Sequence, residues 1–142
     1  PAVADPGKEL IALAHQLKIK IKPHVGPNSI LLTLMASGFN GQQFSFHGYL
    51  PNKQPQLNQK ISALEKQSQL NNETILFIET PYRNEQLKTT LLQNCHPETQ
   101  LCIAANLTSN EEIIITKKIK EWKNETLNFH KIPAVFAIYA GN

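Results

Sequence analysis

Thr74-Ile75-Leu76-Phe77-Ile78 is an unbroken apolar run that stops abruptly at Glu79-Thr80-Pro81. It is too short for a core helix and lacks the alternation of a half-solvated strand, so it reads as a buried central strand. Gln100-Leu101-Cys102-Ile103-Ala104-Ala105 reads the same way, and Ala134-Val135-Phe136-Ala137-Ile138-Tyr139 supplies a last core strand. Strands of this kind need helices over their faces, and helical patterns lie between them. Leu57, Ile61 and Leu64 fall four and three apart, and Leu87 and Leu91 share one side of a helix expected over 83–93. Phe44-Ser45-Phe46-His47-Gly48-Tyr49-Leu50 alternates as a strand. Residues 112–116 form a further β segment, and 119–123 a short amphipathic turn with Trp122 inward. The expected fold class is α/β, and the adjoining late strands make the sheet mixed.

The first third of the chain has a different rhythm. Asp5-Pro6 is a good helix start, and Leu10, Leu13, Ala14 and Leu17 follow at the spacing of a core-facing stripe. A short strand is expected over 18–22, ending at Pro23. Then Val25-Gly26-Pro27-Asn28-Ser29 leads into a helix over 28–36, a strand-to-helix turn with short polar groups and free amides at a helix start. Such a turn either holds a polar ligand or simply caps a helix. Ser37-Gly38-Phe39-Asn40-Gly41 is a break rich in turn formers, and a lobe boundary is expected there, dividing 1–37 from 38–142.

No apolar run in the 142 residues approaches the roughly 20 that a membrane span needs, and no signal peptide is evident, so the cytoplasm is the expected location. The chain opens on Pro1 within what resembles a loop, and it is expected to be a fragment. A net charge of +3 permits an anionic partner without demanding one, because the late lysines are interleaved with Glu111, Glu112, Glu121 and Glu125. Cys95 and Cys102 have no zinc spacing and read as two free thiols. His15, His24, His47, His96 and His130 are scattered, so no metal site is expected. Phosphate-loop, nucleophile-elbow and dinucleotide signatures are missing from the sequence, and Ser29 and Ser37 have no evident base.

Glu79 is the carboxylate of interest because it closes an apolar strand, where ligands gather in open α/β sheets. The alternatives are a cap for the following helix or a partner for Arg83. Asn106-Leu107-Thr108 ends the next strand in the same way, so two strand ends converge on one expected small-molecule cleft.

Five segments in order resemble motifs of the tetrapyrrole methylase family: Pro1-Ala2-Val3-Ala4-Asp5-Pro6-Gly7, Val25-Gly26-Pro27-Asn28-Ser29 before Met35-Ala36-Ser37-Gly38-Phe39, Phe46-His47-Gly48-Tyr49-Leu50-Pro51, Ile78-Glu79-Thr80-Pro81-Tyr82-Arg83-Asn84, and Ala105-Asn106-Leu107-Thr108. The resemblance implies an S-adenosylmethionine-dependent methyltransferase with two α/β lobes, of which this chain carries the second lobe and the end of the first. It implies a homodimer that binds the methyl donor between lobes. Val3, Asn28 and Ser29 would hold the donor from the first lobe, and Glu79 and Leu107 from the second. The family's glycine-rich start and acidic Ser-Asp-Ala-Gly element have no counterpart here, and the turn reads Val-Gly-Pro where many members have Pro-Gly-Pro. Weak donor binding and no turnover by the chain alone are therefore expected.

The resemblance is strongest to members that methylate a cytidine ribose 2′-hydroxyl of ribosomal RNA. That acceptor makes Arg83, Lys117, Lys118 and Lys120 candidates for RNA phosphate contacts and Glu79 a candidate base for the hydroxyl proton. The alternatives are a tetrapyrrole ring carbon as acceptor, or a non-enzymatic binding or assembly module.

Overall fold

The computed structural model describes residues 3–141. Five strands, β1 (Phe44–Tyr49), β2 (Thr74–Ile78), β3 (Gln100–Ala105), β4 (Ile113–Lys118) and β5 (Ala134–Tyr139), form one mixed sheet in the order β1-β2-β5-β3-β4. β1 and β2 are parallel, and β5 runs antiparallel between β2 and β3. The C-terminal ends of β2 and β3 therefore lie at the same sheet edge as the start of β5, which separates them by one strand.

The helices are α1 (Lys8–Gln16), α2 (Ser29–Ser37), α3 (Gln56–Asn71), α4 (Asn84–Asn94) and α5 (Ile119–Trp122), with a 3-10 turn at Pro81–Arg83. Both faces of the sheet are covered, as the continuous apolar strands require. On one face Ile75, Phe77, Leu101, Ile103, Phe136 and Ile138 pack with Leu57, Ile61 and Leu64 of α3, Leu87 and Leu91 of α4, and Trp122 of α5. On the other, Leu76, Cys102, Val135 and Ala137 meet Ile30 and Leu34 of α2. Strand residues alternate between these two clusters, so each strand feeds both cores. Phe77 and Phe136 are register partners and their rings stack at 6.0 Å. Burying a large apolar side chain contributes about 1.5–3 kcal/mol, so the double-sided packing is the main force on the sheet.

The five strands, α4 and α5 match the sequence expectation to within two residues at each end, α3 extends to Asn71 beyond the stripe of Leu57, Ile61 and Leu64, and Trp122 is inward, donating to the Leu101 carbonyl at 2.8 Å. The early ones differ. α1 forms, but Asp5 does not cap it: the N-cap is Gly7, and the Asp5 carboxylate accepts from the Gly7 amide instead. Its stripe does not face a core, since Leu10, Leu13 and Leu17 are exposed and only Ala14 is half-buried.

The strand expected over 18–22 is also missing. Lys18 takes a left-handed φ of 55°, its amide bonds the His15 carbonyl, and the Ile19 amide bonds that of Ala14. The start of the β-prone segment is thus consumed in closing the helix C-terminus. α2 ends at the left-handed Gly38, and Ile30 and Leu34, on the N-terminal side of the expected boundary, pack on the sheet. Among the described residues, no helix is long and apolar enough to cross a membrane.

Candidate functional site

The chain reaches α2 through an extended Asn28 whose Oδ1 accepts from the amides of Ile30 at 3.0 Å and Leu31 at 3.2 Å. That cap satisfies two of the amides a helix start leaves free, and it fixes where Ser29 sits. Ser29 in turn joins the edge where β2 and β3 end. A hollow of about 420 Å³ there is lined by Ser29, by Ile78 at the end of β2 and Glu79 after it, by Asn106 and Leu107 after β3, and by Pro133 before β5 and Ala134 at its start. A second hollow, of about 780 Å³, lies on the N-terminal side of Ser29 and is lined by Val3, Gly26 and Asn28 among others. Of the five expected donor contacts, Ser29, Glu79 and Leu107 therefore share one cavity. Val3 and Asn28 line its neighbour, and Ser29 belongs to both.

The β3 end is conformationally unusual. Asn106 and Thr108 have φ of 50° and 69°, on either side of Leu107. Thr108 is β-branched, so this backbone is costly and must be held by its surroundings. The Asn106 amide donates to the Pro133 carbonyl at 3.0 Å, and the Thr108 amide to Glu112 Oε2 at 2.7 Å.

Glu79 is 8% exposed and its Oε1 accepts from the Thr80 amide at 2.6 Å and from Arg83 at 2.5 Å. Arg83 also donates to Asn52 Oδ1, on the loop between β1 and α3. Glu79 is therefore the partner of Arg83, one of the two structural roles open to it, and it also lines the cavity. Sequence reasoning missed Asn52, Pro133 and Ala134. Asn52 carries no pattern of its own. Pro133 and Ala134 could be placed here only by knowing that β5 lies between β2 and β3; the sole signal is a proline directly before an apolar run.

The candidate phosphate-binding cations are not brought together. Arg83 is paired at the cavity, while Lys117 and Lys118 end β4 at the opposite edge of the sheet. Lys117 binds Glu125 at 2.6 Å, and Lys118 and Lys120 both bind Glu98. Hydrogen bonds from Lys118 and Lys120 hold the Glu98 carboxyl down to about 2. The Lys117 hydrogen bond lowers that of Glu125.

Near that end lies a further hollow of about 610 Å³, but its carboxylates are committed as well. Glu98 serves the two lysines, and Glu65 accepts from the His96 amide and the Thr99 hydroxyl. Among the described residues no group of His, Cys, Asp or Glu is placed to hold a metal. Burial pushes the Cys95 and Cys102 thiols up, and both are free.

No protein-family model matches the chain. It is 32% identical over 114 residues to the ribosomal RNA small subunit methyltransferase I of Vibrio cholerae, covering 80% of this chain and 38% of that protein. It spans between 38% and 49% of the first three curated relatives, which share that name. Among solved structures it is similar to a cobalt precorrin-4 methyltransferase of cobalamin biosynthesis, with TM-score 0.61 and 14% identity, covering 98% of this chain and 60% of that one. It is also similar to the uroporphyrin-III C-methyltransferase of Thermus thermophilus, complexed with S-adenyl homocysteine, with TM-score 0.54 and 15% identity over 98% of this chain and 61% of that one. At such identities these structures establish the tetrapyrrole methylase-like fold.

Proposed function

We propose that this chain, a relative of the ribosomal RNA small subunit methyltransferases I, supplies one wall of an S-adenosylmethionine pocket in an enzyme that methylates a ribose 2′-hydroxyl of ribosomal RNA. The observation that carries this reading is the single cavity that gathers Ser29 from the helix-start turn with Glu79 and Leu107 from two strand ends. Its volume of about 420 Å³ lies within the roughly 300–1,000 Å³ usual for small-molecule sites. Its walls also suit the donor. Ile78, Leu107, Pro133 and Val135 offer apolar surface for a base and a thioether chain, and Glu79, Asn106 and Ser29 offer polar groups for hydroxyls and amines.

The bound donor supplies a methyl group on a sulfonium for in-line displacement. What remains for the protein is positioning and exclusion of water. The strained turn around Leu107 holds an apolar side chain against the strand ends. Glu79 Oε1 is occupied by Thr80 and Arg83, which orients the carboxylate and leaves Oε2 to accept from a ligand hydroxyl. Taking up a proton would cost Glu79 its ion pair with Arg83. The role best supported is therefore hydrogen-bond acceptor rather than base for the 2′-hydroxyl. Val3 and Asn28 border the donor from the adjoining hollow. The protein works in the cytoplasm, where ribosomal RNA is modified, and as a homodimer.

A tetrapyrrole acceptor is favoured only by fold neighbours of 14% and 15% identity, whereas the relatives at 32% share the ribosomal RNA name. The test is a backbone NMR titration with S-adenosylhomocysteine. The resonances of Ser29, Glu79 and Leu107 are expected to move together, with weak affinity. Shifts confined to residues outside the cavity, or no shift at millimolar ligand, refute the reading.

A further inference from the structure

Tyr82 follows the cavity wall residue Pro81, and the residue is 69% exposed. A Tyr side chain presented to solvent on a 3-10 turn keeps an aromatic surface available for contact. Its neighbours are both basic-type side chains from the segment before β5. His130 meets the ring edge-on with centroids 6.2 Å apart, and Lys131 Nζ lies 5.9 Å from the ring centroid. The Lys131 amide donates to the Pro81 carbonyl at 2.9 Å, with Lys131 at a left-handed φ of 61°. The two segments are thereby pinned to each other at the mouth of the cavity, since Pro133 also lines it. Among the described residues Lys131 has no carboxylate partner, in contrast to Lys117, Lys118 and Lys120.

We propose that Tyr82, with His130 and Lys131, is a stacking platform for an unpaired nucleobase of single-stranded RNA, seating the target strand beside the cavity. This inference rests on the reading that the cavity serves RNA methylation, and it names the surface that receives the RNA. An exposed π-face offers a base its stacking partner, and an unpaired ammonium beside it offers a phosphate its counter-charge. A duplex cannot use such a platform, because its bases are already stacked. The lysines at the far end of the sheet play no part, being remote from the cavity and engaged with Glu125 and Glu98.

Fluorescence anisotropy of a labelled single-stranded RNA oligonucleotide tests this on the whole chain. Tyr82→Ala is expected to weaken binding by about 5- to 150-fold, the range for loss of one base–aromatic stack, and Tyr82→Phe to keep it within about threefold. Lys131→Gln is expected to flatten the dependence of log affinity on log salt by about 0.7, one phosphate contact to a single strand. Lys118→Gln with Lys120→Gln is expected to leave affinity within about twofold, those charges being screened and remote. The platform is overturned if wild-type protein binds no single-stranded RNA, if Tyr82→Ala binds as wild type, or if duplex RNA shows the same dependence on Tyr82. A titration with S-adenosylhomocysteine separates this from the parent reading. Donor binding that survives while RNA affinity ignores Tyr82 sinks the platform alone, and absence of donor binding sinks the methyltransferase assignment.

Discussion

Asn28 joins the fold to the proposed site, and the two roles separate by substitution. Its Oδ1 is spent on the amides of Ile30 and Leu31, so the atom left for a ligand is Nδ2. Asn28→Ala removes both cap bonds. Loss of an N-cap side chain costs about 0.5–2 kcal/mol, and part-burial of the stronger bond places this case near about 1 kcal/mol. For a chain of this size that corresponds to a fall in Tm of about 3–5 °C. Asn28→Asp keeps an acceptor at the same place and adds a negative charge at a helix N-terminus, worth about 0.3–1 kcal/mol. It is expected to be as stable as wild type or more so. Urea unfolding read by Trp122, the sole tryptophan and 1% exposed, measures all three proteins with one buried reporter.

Binding then isolates the ligand role. If Nδ2 donates to the donor, Asn28→Asp folds fully yet loses about 2- to 13-fold in S-adenosylhomocysteine affinity, the range for one neutral hydrogen bond. A result of Asn28→Ala within about 0.5 kcal/mol of wild type, the scatter of a neutral surface change, refutes the capping argument. So does an Asn28→Asp as unstable as Asn28→Ala. Unchanged affinity in Asn28→Asp removes Asn28 from the donor contacts and leaves it as a cap.

Among the described residues, Arg83→Met leaves the Glu79 carboxylate with only the Thr80 amide. Breaking a fully buried pair costs about 3–5 kcal/mol, but the Arg83 side chain is 27% exposed, so a loss of about 1–3 kcal/mol is expected in urea unfolding. Adding Glu79→Gln is expected to restore part of it, and strict additivity of the two changes argues against a coupled pair. Asn84 is fully buried and its Nδ2 donates to the carbonyls of Ile132 at 2.6 Å and Phe129 at 3.4 Å. Asn84→Ala is therefore expected to cost about 2 kcal/mol and to release hydrogen-exchange protection in 129–132 first. The Glu98 carboxyl is depressed from 4.5 to about 2 by Lys118 and Lys120, so its contribution is complete above pH 4.5 and is lost as pH falls through about 2. Glu98→Gln should therefore differ from wild type at neutral pH and converge with it at the acid end, and a difference that grows toward low pH contradicts the sign.

Most of the sheet was legible because its strands carry their own punctuation. Thr74–Ile78 ends in Glu79-Thr80-Pro81 and Gln100–Ala105 in Asn106-Leu107-Thr108, so both the strands and the polar groups at their ends could be read from residue type. The early segments failed for a common reason. Periodicity reports which side of an element is apolar, not what it will meet, and Leu10, Leu13 and Leu17 meet water among the described residues. A strand was expected over 18–22, but the amides of Lys18 and Ile19 serve to end α1. The pairing of Lys118 and Lys120 with Glu98 was equally invisible, since the partners are about twenty residues apart in sequence.

Strand order was the least legible feature, and the site depends on it. β5 is apolar like its neighbours, so nothing in its composition says that it enters antiparallel between β2 and β3. That insertion pairs Val135 with Ile78 on one side and with Ala104 on the other, and it brings Pro133 and Ala134 to the rim that Glu79 and Asn106 also reach. Side-chain size then fixes the register. Val135 and Ala137 face α2 together with Cys102, while Phe136 faces the larger core beside Phe77. A slip of one residue would turn Phe136 toward α2 and push the helix off the sheet. Ser29 would leave the cavity with it. Cys102, Val135 and Ala137, smaller than the Phe136 a slip would bring there, are therefore what let a helix-start turn approach two strand ends closely enough to share one ligand.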